Sequence, residues 1–399
     1  MDFELTEEQK VLVALVKDFA KREIDPDYIR KLPQKENLRD QIPWDILKKT
    51  HDIGLRTLAV PVKYGGGGAS YTTQVVVGEA LGRYCGIAIG HLIAHLWAFC
   101  TTHGTSFNDE LREEFFTQFM KNHTFIPARA ITEADASSDT LLPYDEPGAG
   151  MKTFAYRDGD EYIINGEKSW CTGGGQADVV MVSARTDKNA PISKGMSSFY
   201  VPTNTHGFSI VRVNDLLYNE LLRNAVIRFD NVRVPKRYLI GKENIPFSDK
   251  SDTGLIYLGP QLGANAAIYE ATKEYAKTRV QGGVPIFEHK NIGPLLADMY
   301  IRIETQRYLL YKVAWEADQA TKHRTDMRGL ATMSPLGAII VWSYSKEVAL
   351  KLVENAIEVY GANAAMKDMP LEEYIRLAVI WQHGLSNRSL QLIKATKYL

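Results

Sequence analysis

A chain of 399 residues is too long for one small hydrophobic core and predicts two or three domains. With 47 basic against 48 acidic residues and no long Lys/Arg run, it offers no electrostatic case for nucleic acid or an anionic membrane surface. Cys85, Cys100 and Cys171 are scattered without CxxC spacing, which argues against a disulfide framework or zinc site; with no secretory or membrane-spanning segment read, the expected location is the cytoplasm.

From Thr6, an N-cap candidate followed by Glu7 and Glu8, the residues Val11, Leu12, Leu15, Val16 and Phe19 recur at helical spacing up to Asp25-Pro26. Further helices are predicted over 43–51, 72–84, 86–103 and 110–120, with a turn at Tyr64-Gly-Gly-Gly-Gly68. The 86–103 segment carries His91 and His95 at i, i+4 and His103 near its end. Such a pair can bind a metal, but neither a third ligand nor an HExxH glutamate accompanies it, so no metal site is expected and a pocket-lining histidine is the favoured reading.

Between 126 and 241, short β-rich runs alternate with Gly, Asp, Asn and Pro. Runs at 179–184, 197–201, 208–213 and 225–229, closed by Val232-Arg-Val-Pro235, are spaced like a compact antiparallel barrel or sandwich. The most informative stretch is Gly159 to Gly175. Tyr162, Ile163 and Ile164 lead into Asn165-Gly166, a pair favoured at two-residue hairpin corners, so a turn is predicted there. Trp170 and Thr172 then share a face of the second strand, and Gly173, Gly174 and Gly175 leave backbone amides open beside them. That set suits a flat polar aromatic ring; the plainer alternative is a hairpin with a core Trp. From 251 helical periodicity returns over 251–279, 292–322, 334–360 and from about 371 onward, as in an antiparallel bundle.

This order of elements resembles the acyl-CoA dehydrogenase family of flavoproteins over essentially the whole chain. Five motifs carry the resemblance: Tyr64 to Gly68 with Glu79-Ala80-Leu81; Ile131-Thr-Glu133 with Ser138-Asp139; Tyr162 to Gly174; Arg279 with Gly283 and Glu288-His289; and Tyr360-Gly-Ala-Asn363 leading through Pro370 to Arg376. It implies an α+β fold with an N-terminal α-helical domain over 1–125, a middle antiparallel β domain over 126–241 and a C-terminal four-helix bundle over 242–399. It also implies FAD, with Thr132, Trp170 and Thr172 against the isoalloxazine, Ile131 and Cys171 beside them, and Ser138 between flavin and thioester. Arg279, with His289 nearby, would clamp the pyrophosphate of a neighbouring subunit's FAD in a homotetramer, a task that suits a guanidinium. Glu358, Gly361, Ala362 and Asn387 complete the cofactor set, and Thr253 and Gly384 join Ser138 on the substrate side. The implied partners are an acyl-CoA and electron-transferring flavoprotein.

The sequence departs from the family in several places. Ala134-Asp-Ala-Ser137 replaces Pro-Gly-Ala-Gly, 140–150 looks like an insertion containing Glu146-Pro-Gly-Ala-Gly150, Gly282 stands where the family has Phe or Gln, and Glu358 where it has a neutral Gln. A carboxylate beside a pyrophosphate is electrostatically awkward. The catalytic glutamate is missing as well. Its loop reads Trp381-Gln-His-Gly-Leu385, which puts Leu385 at its place without gaps or His383 with a two-residue deletion, and the minority position corresponds to Thr253, beside Asp252. His383 and His91 are the candidate bases, since imidazole titrates near neutrality; a hydrogen-bonded structural histidine is the alternative. Three functions follow: oxidation of an unusual cyclic or unsaturated acyl-CoA by a displaced base, other chemistry on the scaffold such as desulfination or flavin oxygenation, or flavin and thioester binding without catalysis.

Overall fold

The structure is a computed structural model that describes residues 4–103, 107–137, 146–147, 149–218, 221–244, 252–322, 335–384 and 386–399. Ser138 and most of the 140–150 segment lie outside the described residues, as does Leu385.

Helix α1 (Glu7–Glu23) starts on a capping box, in which Thr6 Oγ1 accepts from the Gln9 amide and Gln9 Oε1 from the Thr6 amide, so two orphan donors are satisfied reciprocally. After α2 (Pro26–Lys31) and α3 (Trp44–Asp52) come α4 (Tyr71–Ala80) and α5 (Ile87–Ala98), which are buried along nearly their whole length. Their predicted spans shorten because each passes at its end into a π-helical turn, 81–85 and 99–103. Helix α6 (Asp109–Lys121) closes the domain.

The middle domain is one sheet built from β1 (Pro127–Ala130), β2 (Phe154–Asp158), β3 (Glu161–Cys171), β4 (Val179–Arg185), β5 (Met196–Pro202), β6 (Phe208–Val213), β7 (Ala225–Pro235) and β8 (Leu239–Ile240), with the short helix α7 (Ile192–Gly195) before β5. Its order is β6-β7-β3-β2-β4-β5-β8; the pairs are mostly antiparallel, while β1 runs parallel to β4 and β2 meets β4 in parallel at Phe154 and Arg185. The predicted corner at Asn165-Gly166 is not a turn. Strand β3 runs straight through it, and the hairpin turns at Gly159-Asp160, where Asp158 pairs with Glu161. Gly166, at φ 141°, instead lies at a register shift against β7, where a Cβ would come within 2.6 Å of Thr153 Oγ1, so glycine is required there by close approach.

The C-terminal part consists of α8 (Asp252–Thr278), a small hairpin of β9 (Val280–Gln281) and β10 (Val284–Pro285), α9 (Ile292–Lys322), α10 (Pro335–Tyr360), α11 (Leu371–Trp381) and α12 (Arg388–Ala395). The single predicted last helix is two, because the 382–387 turn interrupts it and Asn387 caps α12 through the Leu390 amide. Helix α8 lies against α4 and α5 through small residues. Cβ atoms added at Gly78 and Gly90 would come within 3.0 and 2.9 Å of Pro260, and one added at Gly82 would meet its carbonyl. That contact locks the N-terminal helices onto the bundle beside the β domain.

Candidate functional site

The end of β3 is the first component. Between Lys168 and Cys171 the register against β7 shifts, and Trp170 adopts φ 60°, a left-handed conformation costly for a bulky residue. Its indole is 57% exposed, while Cys171 on the next position is buried and its thiol is pushed up to about 12 by burial. Cys171 therefore faces the core and offers a ligand only its backbone. The glycines contribute differently from the expectation of open amides: Gly174 N donates to Cys171 O at 2.9 Å and Gly175 N to Arg223 O at 3.3 Å, so both are committed to the turn. What they provide is backbone shape, with Gly173 at φ 75°.

A second strip runs beside it. Ser169 N donates to Thr132 O at 2.8 Å, and the fully buried Lys168 Nζ donates to Ile131 O at 2.8 Å and Glu133 Oε1 at 2.9 Å. Glu133 also accepts from the amides of Lys152 and Thr153. Burial raises its carboxyl, but the Lys168 charge and these bonds more than reverse the effect and hold it below the ordinary glutamate value. Ile131 packs its side chain into a small cluster with Ala136, Met151, Ile192 and Met196. Thr132, half-buried, thus stands next to Trp170 on a loop pinned by a buried ion pair.

The helices close the space from the other side. His95 on α5 lies 3.8 Å from the Cβ direction of Gly173. Its Nε2 is 2.8 Å from Pro127 O and its Nδ1 is 3.0 Å from the Tyr257 hydroxyl. A carbonyl only accepts, so Nε2 carries the proton and Tyr257 donates to Nδ1. One turn back on α5, His91 is buried and packs on the Trp381 ring at 4.8 Å, and Trp381 lies 6.3 Å from Trp342 on α10. Trp342 in turn presses on Gly254 in the first turn of α8, where a Cβ would land on its indole. These contacts bring α5, α8, α10 and α11 into one aromatic wall containing His91. His383 and Gly384 lie exposed on the turn just beyond. Thr253 belongs to the first turn of α8, and its side chain is outside the described atoms.

Under that turn sits Lys346, which sequence reasoning missed. It occupies the apolar stripe of α10 between Trp342 and Ala349, is fully buried, and donates to the carbonyls of Trp381 and Gly384, the latter at 2.9 Å. Burial pushes its amine down to about 7. A lysine on an unbroken apolar stripe was the available signal.

The remaining predicted residues cluster elsewhere. Tyr275, in the last turn of α8, stacks on Tyr360 at 4.1 Å and accepts from Asn363 Nδ2 at 2.7 Å, which joins the helix end bearing Arg279 to the turn bearing Gly361 and Ala362. Arg279, Glu358, Gly361 and Ala362 are all exposed, and Gly361 adopts φ 58°. His289 Nε2 donates to Gln281 O at 3.0 Å and braces the small hairpin. Asn387 is the cap of α12 and joins neither group. From Tyr257 to Thr278 are 21 residues of helix, about 32 Å. The Arg279 cluster therefore lies a helix-length along α8 from Tyr257 and its partner His95. A cavity of about 590 Å³ between α1, α4, α8 and α9 is lined by Glu79, Arg307 and several tyrosines and contains none of these residues.

Comparison with known proteins agrees with this architecture. The acyl-CoA dehydrogenase N-terminal, middle and C-terminal domain descriptions match residues 6–123, 128–232 and 257–392. The chain is 30% identical over 403 aligned residues to a probable acyl-CoA dehydrogenase of Bacillus subtilis, covering 100% of both. It is 31% identical over 383 residues to cyclohex-1-ene-1-carbonyl-CoA dehydrogenase of Geobacter metallireducens, covering 95% of this chain and 94% of that one. The fold matches butyryl-CoA dehydrogenase of Megasphaera elsdenii with a TM-score of 0.86 at 23% identity, covering 100% of this chain and 99% of the other.

Proposed function

The chain belongs to the acyl-CoA dehydrogenase family of FAD-dependent oxidoreductases acting on CH–CH bonds, and on that premise we propose that it oxidises a compact cyclic or unsaturated acyl-CoA, with His91 as the proton acceptor. The observation that carries this reading is the seat of His91: a buried imidazole on the Trp381 ring, at the start of a loop whose sequence, Trp381-Gln-His-Gly-Leu385, holds no carboxylate. An imidazole there offers a basic ring nitrogen to a departing proton, while Trp342 and Trp381 narrow the wall against a long straight chain. His383, exposed on the turn, is the second candidate for the same role.

The residues fit the cofactor. A bulky indole held 57% exposed on a strained backbone presents a flat apolar face that a planar ring would cover, and the half-buried Thr132 and Thr172 offer hydroxyls from the neighbouring backbone. When bound, FAD supplies the hydride acceptor. The chain's part is to orient the acyl group between Trp170 and the aromatic wall, exclude water there, and hold the departing proton at His91. Because about 32 Å of α8 lie between Tyr257, bonded to His95, and Thr278, next to Arg279, Arg279 suits the cofactor of a second copy, and the exposed Val280, Val284 and Phe287 around it suit a subunit contact. We therefore infer a homotetramer with shared FAD sites, and electron-transferring flavoprotein as electron acceptor; a solved structure described as the electron transferring flavoprotein of Acidaminococcus fermentans holds a chain of this fold, 25% identical, at TM-score 0.85.

The test is anaerobic mixing of the purified protein with saturated straight-chain, branched and cyclic unsaturated acyl-CoAs while the flavin absorbance is followed. Bleaching should be fastest with the cyclic unsaturated compounds. His91→Gln should slow it by about 10²–10⁴-fold with the ligand still bound. Turnover that needs reduced flavin and oxygen would indicate an oxygenase, and binding without bleaching across the panel a non-catalytic protein.

A further inference from the structure

We propose that Lys346 is the positioning residue for the 381–384 turn, and that proton uptake by its amine governs opening of this wall of the site. The contacts of Lys346 with the turn are the same whichever residue accepts the substrate proton.

Lys346 Nζ reaches the carbonyl of Trp381, one of the unsatisfied set at the C-terminus of α11, and that of Gly384 in the turn beyond it. Gln382 answers in the opposite direction, its Nε2 donating to Lys346 O at 3.1 Å, so α10 and the end of α11 are clasped twice. The clasp seats Trp381, and through it the contacts with His91 and Trp342. Without it the turn keeps, among the described residues, short-range bonds such as His383 N to Ile380 O at 3.2 Å and Gln382 Nε2 to Ala378 O at 3.1 Å.

Two acceptors match the two N–H groups of a neutral amine. An ammonium brings a third donor into the core, with the Trp342 ring, centred 5.4 Å away, as its neighbour. Charged groups on the elements packed around α10 have partners of their own: Arg388 of α12 holds Glu347 at 2.9 Å, Arg302 holds Asp298 on α9 at 2.7 Å, and on α11 Arg376 holds Glu372 at 2.7 Å while Glu373 accepts from Tyr218. Gln261 of α8, uncharged, donates to Ser345 O. His91 of α5 lies beyond Trp381, and His383 is on the turn itself. Among the described residues no carboxylate meets Nζ to hold the charge.

The sign follows from linkage. The amine titrates near 7 when the turn is closed and near 10.4 when it is open to water, so in that window opening takes up a proton. The opening constant should rise up to about tenfold for each pH unit lowered from about 10 to about 7, and level off below that.

Hydrogen–deuterium exchange of the 380–386 peptide in the intact protein, divided by the intrinsic exchange rate at each pH, reads this constant directly. Between pH 9 and pH 7 the wild type should gain about 30- to 100-fold in opening, and Lys346→Met should show more opening overall with no pH dependence. A merely structural lysine would raise opening in the variant but leave the wild type flat in pH, which would overturn the proposal. If Lys346→Met does not fold, Gln382→Ala keeps the amine and loses one clasp. It should open more than wild type yet keep the slope, and a flat slope there also refutes the mechanism.

Discussion

Lys168 is the sharpest probe of the loop that presents Thr132, because it is fully buried and touches no ligand surface. Its Nζ joins Ile131 O and Glu133 Oε1, while Glu133 holds the amides of Lys152 and Thr153 at 2.7 and 2.8 Å. Lys168→Met keeps the aliphatic stem and strands a buried carboxylate. Removing one partner of a buried pair costs about 3–5 kcal/mol, and the two surviving amide bonds put the expected loss near the lower end, about 3 kcal/mol. In wild type the Glu133 pKa is depressed, so its stabilisation is present above the unfolded value of about 4.3 and is lost as pH falls through the folded one. In the variant the carboxyl moves up and this loss on acidification shrinks. Urea unfolding at pH 3 and pH 8 of wild type, Lys168→Met, Glu133→Gln and the double variant measures both effects. The double variant strands no charge and should lose less than the sum of the singles. A Lys168→Met loss under about 1 kcal/mol, or additive singles, would refute the reasoning.

Two further expectations concern the cofactor and the wall. Arg279→Ala should weaken FAD retention on gel filtration by about 10- to 100-fold, the worth of a charge-assisted bond, with helix content unchanged, whereas a monomer that keeps full flavin would exclude a shared site. Gly254→Ala places a methyl group on the Trp342 indole and should cost about 1–3 kcal/mol in thermal unfolding while shifting acyl preference. Wild-type stability with unchanged preference would remove Trp342 from the site.

Much of the fold was legible because its signals are local. Thr6 is the N-cap its place before Glu7 and Glu8 suggested, with Gln9 adding a capping box, Ile292–Lys322 has the predicted bounds, and the β-rich texture between 126 and 241 became one sheet. The error at Asn165-Gly166 shows the limit of local signals. The pair has the backbone freedom a corner needs, but β7 and Thr153 come close enough to claim that freedom for a bulge, and Gly159-Asp160 takes the turn instead. The parallel pairing of β1 with β4 rests on residues some 50 positions apart and leaves no mark on either strand alone.

The site was legible in its parts and not in its assembly. Trp170 stood out as an indole before a glycine run, but its exposure depends on a left-handed backbone that alternation does not predict. His91 and His95 were one pair in sequence; in space they separate into two jobs. His95 bridges the β domain and α8 through Pro127 and Tyr257, while His91 faces Trp381. The decisive neighbour of the carboxylate-free loop, Lys346, lies 35 residues from Trp381, and only the packing of α10 under α11 brings the two together. A lost side chain can be read from a sequence, but the group that now supports its place is found by asking which buried polar atom the loop's own carbonyls have taken as a donor. Here that donor is the Lys346 amine, which burial pushes down to about 7, so the carbonyls of a loop without a carboxylate are met by a group whose own charge is poised near neutral pH.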